Sequence, residues 1–254
     1  MCTVEMDAMG MMVEELEKTE ADLAYVMPSH QYPMGIVMPI GRRYQLLQWA
    51  AKRENRYIIE DDYDSEFRYR GKPIPALQGY DRKDKVIYLG TFSKSIAPAI
   101  RISYMVLPPS LCRLYERTAM LFSSTVSRID QRTLEVFIRE GHFERHLNRM
   151  RTVYKGKHDL LVEHLKGLRA VCSISGEQAG VHLLARFEDG RTEKELIGAA
   201  RDHRIKVYGL SENIVRHHAR EGAGREPAGI ILGYAALSEE QICQATDILK
   251  TAWL

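Results

Sequence analysis

The sequence predicts an α/β fold built on a mostly parallel β-sheet, followed by a smaller α+β domain. In the first part of the chain, short apolar runs alternate with amphipathic stretches, and polar clusters follow the runs directly. Beyond about residue 167, short apolar segments alternate with only two helical stretches. The length of 254 residues and the hydrophobic content of 45% suit two domains. We expect these to span residues 1–150 and 151–254.

The first domain should contain four strands and two helices before residue 110. Residues 22–27, 56–60, 85–89 and 102–107 predict the strands, and MMVEELEK predicts a short first helix. Residues 40–54 predict a second helix, since Leu46, Leu47 and Ala50 fall on one face. Strands that are apolar throughout predict a sheet covered by helices on both faces. Ligands of such sheets bind beyond the carboxyl ends of the strands.

The remainder of the chain should begin with helix and end in an α+β domain. Residues 111–168 predict one long helical stretch. Residues 171–175, 180–187, 204–208 and 229–235 predict strands, and residues 193–203 and 239–252 predict helices. Ser238 and Gln241 have the spacing of a capping box, which fixes the start of the last helix.

Composition and charge exclude several classes of protein. The 36 Lys and Arg residues against 34 Asp and Glu residues give a net charge of +2, so no strong field favours DNA or an acidic membrane. No apolar run reaches the ~18 residues that a membrane-spanning helix needs, and the first residues do not resemble a secretion signal. The four cysteines are scattered without metal-ligand spacing. We therefore expect a cytoplasmic protein with reduced thiols, no metal and no membrane partner.

A lysine in a hydroxyl-rich segment is the first candidate functional residue. Lys94 follows the strand predicted at residues 85–89, and Thr91, Ser93 and Ser95 flank it. Arg101 comes seven residues later, before the next predicted strand. Hydroxyl groups and one guanidinium suit a phosphate monoester, and an amine beside a phosphate site suggests a lysine that holds pyridoxal phosphate covalently. The alternative is a solvated surface lysine.

An acidic segment, IIEDDYDSEF, is the second candidate. Carboxylates at a strand end repel one another unless a cation lies among them, and a protonated pyridine nitrogen is such a cation. Tyr63 lies two residues after Asp61 and can contact the phenolic oxygen of the same ring. Two alternatives remain, a metal-binding acidic cluster and a helix N-cap with surface acids. A metal site would leave Lys94 and Arg101 unexplained.

These segments resemble a known family. The strings YVMPSHQYPMG, IIEDDYDSEFRYRGKPIPALQGYD and VIYLGTFSKSIAPAIRISYMVLP resemble the aminotransferase-like domain of MocR-type transcriptional regulators in the GntR superfamily. The resemblance covers nearly the whole chain and is densest over residues 25–109. It implies the type I fold of pyridoxal-phosphate enzymes. The match begins inside the large domain, so we expect an incomplete large domain without the winged helix-turn-helix.

The resemblance assigns roles to individual residues. Lys94 matches the lysine that forms the internal aldimine with pyridoxal 5'-phosphate, Asp61 the aspartate on the pyridine nitrogen, and Tyr63 the tyrosine on the phenolic oxygen. The other matched positions surround the cofactor: Thr91, Ser93 and Arg101 at the phosphate, and His30 and Gln31 along the ring.

The family suggests three functions for such a domain. The first is a sensor that detects an amine or amino acid by aldimine exchange at Lys94, with DNA bound only through a winged helix that this chain lacks. The second is a pyridoxal-phosphate-dependent aminotransferase of class I/II acting on an amino acid, and the third is an inactive truncated fragment. Type I sites form at dimer interfaces, so the resemblance also implies a homodimer, for which the apolar stripe of residues 111–168 is one candidate surface.

Departures from the family pattern bear on catalysis and on backbone strain. Tyr32 stands where aminotransferases have an asparagine at the phenolic oxygen, and Glu212 stands where an arginine can bind a substrate carboxylate. Both weaken the expectation of transamination more than that of cofactor binding. Ala99 and Ser103 replace glycines, where the backbone approaches closely or turns with positive φ, at an expected cost of about 1 kcal/mol or more each if the glycine conformation is kept. The nearby arginines that can substitute for the missing one are Arg216, Arg220 and Arg225.

Overall fold

The chain forms two compact units. A computed structural model describes residues 1–69, 71, 75–119, 121–214 and 228–254. The first unit comprises Met1–Gln31, Ile36–Glu66 and Lys72–Arg151, and the second comprises Tyr32–Gly35, Phe67–Gly71 and Thr152–Leu254. In the described part of the chain, no helix combines the length and the apolarity needed to cross a bilayer.

Most elements before the second unit match those that the sequence predicts. In chain order they are β1 (Met6–Asp7), β2 (Gly10–Met11), α1 (Val13–Glu17), β3 (Leu23–Val26), α2 (Ile40–Ala51), β4 (Tyr57–Asp62), α3 (Leu77–Tyr80), β5 (Val86–Thr91), β6 (Ser103–Val106), α4 (Pro109–Ala119) and α5 (Arg128–Arg139). The small β1–β2 hairpin was not expected. The main sheet has the order β3-β4-β5-β6, in which β3, β4 and β5 are parallel and β6 is antiparallel to β5.

Only one face of this sheet is packed. Ala24, Val26 and Ile58 are buried against Leu46 and Trp49 of α2, whereas the alternate residues of β3 are exposed and those of β4 are half-buried. The prediction of helices on both faces is therefore wrong for the described residues. The period-2 alternation was hidden because Tyr25 and Leu23 on the open face are themselves apolar.

A buried arginine holds the loop between β3 and α2 in place. The guanidinium of Arg43 is fully buried and donates to the backbone oxygens of Met38, Pro75 and Pro28 at 2.8–2.9 Å. Two of these oxygens, those of Pro28 and Met38, flank the SHQYPMG segment. The loop is therefore tied to the start of α2 at both of its ends.

A buried glutamate anchors α3 beneath the sheet. Glu60 is fully buried and accepts hydrogen bonds from the backbone N–H groups of Leu77 and Gln78 at 2.6 and 2.8 Å. Burial raises the pKa of this carboxyl group, against the two N–H donors and the nearby positive charge of Arg43. Glu60 therefore serves the fold rather than a ligand.

The long helix predicted at residues 111–168 is three helices. After α4 and α5 comes α6 (His142–Leu165), whose residues belong to both units. Ser127 caps α5 by accepting from the N–H of Ile129 at 3.2 Å, and Gly141 separates α5 from α6 with φ of +71°. A glycine at positive φ ends a helix readily. Gly141 is therefore the sequence signal for this break, which the prediction of one long helix does not include.

The second unit is an antiparallel sheet with two helices. Its elements are β7 (Cys172–Ser175), β8 (His182–Phe187), α7 (Glu193–Asp202), β9 (Tyr208–Gly209), β10 (Ala228–Gly233) and α8 (Glu239–Trp253), and the sheet order is β7-β8-β10-β9. The predicted capping box at Ser238 and Gln241 is present, and Thr192 and Glu195 form a second one. The strand predicted at residues 204–208 is reduced to β9, and Arg204 adopts a left-handed conformation after α7.

Candidate functional site

The candidate site lies at the carboxyl ends of β4 and β5, on the open face of the sheet. Asp61 pairs with Leu89, and Thr91 pairs with Ser103 across the β5–β6 ladder. Because side chains alternate along a strand, Tyr25, Asp61, Thr91 and Ser103 all project from this face. Asp62 projects from the opposite face. The register thus selects one of the two adjacent aspartates for the site.

Asp61 is held by a tyrosine from the neighbouring strand. The hydroxyl of Tyr25 donates to Oδ2 of Asp61. Burial, and then the charge and hydrogen bond of Asp61, raise the pKa of Tyr25 well above its usual range. Within the described residues, Oδ1 of Asp61 has no hydrogen-bond partner. One oxygen is therefore oriented by the protein while the other can accept from a protonated ring nitrogen.

Lys94 presents an accessible amine. It lies in the turn between β5 and the short 3₁₀ helix Pro98–Ile100, and its side chain is exposed. Among the described residues no group forms an ion pair or hydrogen bond with it. Its neighbour Ser95 is 1% exposed, and the described part of the chain offers its hydroxyl no partner. An exposed primary amine and a buried hydroxyl are thus carried by consecutive residues of the turn after β5.

Hydroxyl groups cluster around Thr91, the last residue of β5. The Thr91 hydroxyl accepts from the backbone N–H of Ser93 at 3.2 Å and from the Ser103 hydroxyl at 3.3 Å. Arg101 is exposed and lies between the 3₁₀ helix and β6, at the end of the sheet where β5 finishes. This donor set of small hydroxyls and a guanidinium has the chemistry that a phosphate monoester requires.

The expected strain at Ala99 and Ser103 is absent. Ala99 lies inside the 3₁₀ helix and Ser103 begins β6, and neither has positive φ. The left-handed residue of this segment is Arg101, with φ of +49°. The condition for the expected cost, a left-handed conformation, is therefore met at neither residue and is met at Arg101 between them.

Tyr63 contacts a buried histidine–aspartate pair. Nδ1 of His30 lies 2.9 Å from Oδ2 and 3.2 Å from Oδ1 of Asp64, and both side chains are 1% exposed. The hydroxyl of Tyr63 is 3.1 Å from the same nitrogen. His30 therefore contacts two residues of the acidic segment, Asp64 and Tyr63. Its imidazole is also more deeply buried than expected for a residue that only lines the cofactor ring.

The acidic residues do not converge on one point. Glu60 anchors α3, Asp61 accepts from Tyr25, and Asp64 contacts His30. Asp62 accepts from the hydroxyl of Tyr88 at 2.8 Å on the other face of the sheet. Each carboxylate has a separate partner, which argues against the alternative of a shared metal.

The remaining predicted residues lie outside the strands that carry Asp61 and Thr91. The backbone N–H of Gln31 donates to the Ile36 oxygen at 2.8 Å, which closes the loop after β3. Tyr32 packs edge-on against His182 with ring centroids 5.2 Å apart, within the second unit. Glu212 is exposed in the 3₁₀ helix Leu210–Asn213. The three substitute arginines lie outside the described residues: Arg216, Arg220 and Arg225.

Two contributors were not found from the sequence. Tyr25 has the appearance of one more apolar strand residue, and only the register of β3 against β4 brings it to Asp61. Asp64 has the appearance of a surface acid after the strand, although it is 1% exposed. A histidine 34 residues upstream gives no local signal for such a pair.

Comparison with known proteins identifies the family. The model for the class I and II aminotransferases matches residues 5–247, almost the whole chain. The chain belongs to the class I and II aminotransferase family. Its fold class is confirmed by a solved structure, LysN, the α-aminoadipate aminotransferase from Thermus thermophilus, which superposes on 99% of this chain and 64% of its own with a TM-score of 0.81 at 24% identity.

Two curated relatives of this aminotransferase-family chain are transcriptional regulators. It is 43% identical over 248 residues to an uncharacterized HTH-type transcriptional regulator, YhdI of Bacillus subtilis, covering 97% of this chain and 51% of YhdI. It is 35% identical to the probable rhizopine catabolism regulatory protein MocR of Rhizobium meliloti, covering 96% of this chain and 48% of that protein. The chain thus spans about half the length of these relatives, and its resemblance to the aminotransferase-like domain of MocR-type regulators is confirmed.

Proposed function

We propose that this chain is the pyridoxal 5'-phosphate-binding part of a MocR-type regulator and detects an amine or amino acid at Lys94. The single observation that carries the proposal is the register of β4 and β5. It sets Asp61 and Thr91 on one face of the sheet, at the end where the Lys94 turn begins. Two neighbouring parallel strands thereby supply three groups: an acid for the ring nitrogen, an amine and a phosphate-binding hydroxyl.

Each residue has a distinct task in this proposal. The bound cofactor supplies an aldehyde carbon that amines attack and a ring that withdraws electrons. Asp61, oriented by Tyr25, keeps a proton on the ring nitrogen. Thr91, Ser93 and Arg101 hold the phosphate, so that the cofactor stays in place when an incoming amine displaces Lys94.

The amine of Lys94 provides the decisive experiment. The protein is saturated with pyridoxal 5'-phosphate, treated with borohydride, digested and examined by mass spectrometry. We expect the cofactor's mass on the peptide that contains Lys94, and its loss in Lys94→Ala. Lys83→Ala is the matched control, since Lys83 is an exposed lysine eleven positions earlier in the chain. A folded protein that carries no mass on Lys94 would refute the proposal.

Transamination is the second candidate function, favoured by the family match across residues 5–247. Lys94, once displaced, would then move a proton between the substrate carbon and the cofactor. Incubation with an amino-acid panel and 2-oxoglutarate distinguishes the two candidates. A spectral change without keto-acid release supports sensing, whereas repeated turnover supports the enzyme.

We also propose a cytoplasmic homodimer. In α4 no described residue is buried, and Leu114 and Tyr115 are more than half exposed. Ile129, at the start of α5, is 78% exposed. Three exposed apolar side chains on two helices that follow each other in the chain are typical of a protein–protein interface. Sedimentation of the cofactor-loaded protein tests the dimer, and substitution of Leu114 by Glu should weaken it.

A further inference from the structure

The buried pair of His30 and Asp64 has a geometry that bears on Tyr63. Both oxygens of Asp64 approach Nδ1 of His30, at 2.9 and 3.2 Å, and the two side chains are 1% exposed. A buried carboxylate is costly unless it accepts strong hydrogen bonds. A pair so deeply buried is therefore a built feature of the fold rather than a surface contact.

The protonation of this nitrogen follows from its partners. An ionised carboxylate only accepts hydrogen bonds, so the hydrogen between His30 and Asp64 resides on Nδ1. The oxygen of Tyr63 lies 3.1 Å from the same Nδ1. A nitrogen that carries a hydrogen cannot accept the phenol's own hydrogen in the ring plane. The one hydrogen on Nδ1 is therefore shared between the Asp64 carboxylate and the oxygen of Tyr63, and the hydroxyl hydrogen of Tyr63 points to a different acceptor.

We propose that Asp64 is a positioning residue that sets the direction of the Tyr63 hydroxyl through His30. The inference rests on the proposed function and on the family resemblance, which gives Tyr63 the role of donating to the phenolic oxygen of the cofactor. Asp64 fixes the Nδ1–H tautomer, and this N–H fixes the Tyr63 oxygen as an acceptor. The phenol is thereby prepared to donate outward before the cofactor binds.

Asp64→Asn is the variant that reverses this polarity. The amide of asparagine can donate to Nδ1, which allows the imidazole to carry its hydrogen on Nε2. Nδ1 then becomes an acceptor and can take the hydrogen of Tyr63. The side chain keeps its size, so the fold should persist while the phenol turns inward. Replacement of an aspartate by asparagine beside a histidine is known to trap the wrong tautomer in the serine protease triad.

The expected signature is a spectroscopic pH titration of the cofactor-loaded protein. A hydrogen bond donated to the ring oxygen stabilises its negative charge, so its loss makes that oxygen hold the shared proton to higher pH. We expect Asp64→Asn to raise the midpoint of the long-wavelength absorbance band by about one pH unit, a tenfold change in the equilibrium. Tyr63→Phe should raise it as much, and the double variant should show no further rise.

A matched control and a second measurement separate the possible failures. Asp62→Asn is the control, because Asp62 is also a buried carboxylate but contacts Tyr88 and Ser65 on the other face. It should leave the midpoint unchanged. Nitrogen NMR of His30 in cofactor-free protein should show hydrogen on Nδ1 in the wild type and on Nε2 in Asp64→Asn.

The outcomes are distinct. No cofactor band in any variant, with the NMR result as expected, refutes the proposed function but leaves the tautomer assignment standing. A normal wild-type band with additive shifts for Asp64→Asn and Tyr63→Phe refutes the positioning role, because a merely structural effect does not depend on Tyr63. Hydrogen on Nε2 in the wild type overturns the inference directly.

Discussion

Arg101→Gly should stabilise the cofactor-free protein and weaken cofactor binding at the same time. Arg101 has φ of +49°, in the left-handed region, between the 3₁₀ helix and β6. A residue with a Cβ pays about 1 to 2 kcal/mol for that conformation. Glycine avoids this cost, but its unfolded chain has greater conformational freedom, which lowers the free energy of unfolding by about 0.5 to 1 kcal/mol. Taking the centre of each range, the net gain in unfolding free energy should be about 0.8 kcal/mol, with a Tm increase of a few degrees.

The loss of cofactor affinity comes from the guanidinium. A hydrogen bond to a charged group contributes about 1.5 to 3 kcal/mol, so its removal should weaken pyridoxal 5'-phosphate binding by roughly tenfold to a hundredfold. Pyridoxal without the phosphate should bind the variant and the wild type alike. The changes in stability and in affinity should have opposite signs, because the substitution removes both the strained conformation and the guanidinium.

Arg204→Gly is the matched control. Arg204 has φ of +63° at the end of α7, where the N–H of Ile205 donates to the Ala200 oxygen at 2.9 Å, and helices that end in this way favour glycine. It should stabilise the protein equally without any change in cofactor affinity. Chemical denaturation and a fluorescence titration measure the two effects. Unchanged phosphate-dependent affinity in Arg101→Gly would refute the phosphate role, and an unchanged midpoint in both variants would refute the strain argument.

Two further predictions concern the pH dependence of stability and thiol reactivity. Burial, with a contribution from the charges of Asp62 and Asp64, raises the pKa of Glu66 to about 7. Its unfolded value is near 4.5, so the stability that Glu66 contributes is complete below that pH and is lost as pH rises to about 7. Denaturation of Glu66→Gln across this range should show a flatter profile, and an unchanged slope would contradict the assignment. Burial also raises the pKa of Cys172 to about 11, so iodoacetamide at mildly alkaline pH should label the exposed Cys2 and Cys112 but label Cys172 only after unfolding, as peptide mapping can check.

The strands and most helices could be predicted because their signals are local. The 3.6-residue period of α2 and the capping box of α8 depend on residues within one or two turns. The break between α5 and α6 was missed because Gly141 is a single residue within a polar, helix-compatible stretch. The packing of only one face of the sheet could not be foreseen, because apolar side chains such as Leu23 also occupy the open face.

Whether a site residue could be predicted also depends on whether its contacts are local or distant in the sequence. Lys94, Thr91 and Arg101 lie within eleven residues of one another, and a lysine among hydroxyls is a visible pattern. The bonds of Asp61 to Tyr25 and of His30 to Asp64 join residues 36 and 34 positions apart. Such contacts depend on which strands are neighbours, which the sequence alone does not state.

The end of β4 shows why boundaries decide chemistry. If the strand ended at Glu60, as the sequence predicts, Asp61 and Asp62 would be two equivalent acids of a loop. Only the family resemblance would then favour Asp61. In the structure β4 continues to Asp62, so the two carboxylates point to opposite faces, one toward the Lys94 turn and one toward Tyr88. A shift of one residue in the β4–β5 register would exchange them. The fully buried Ile58 and Glu60 specify this register, because the shift would expose Ile58 and leave Glu60 without the N–H groups of α3. The core of the first unit therefore determines which aspartate lies on the same face of the sheet as Thr91.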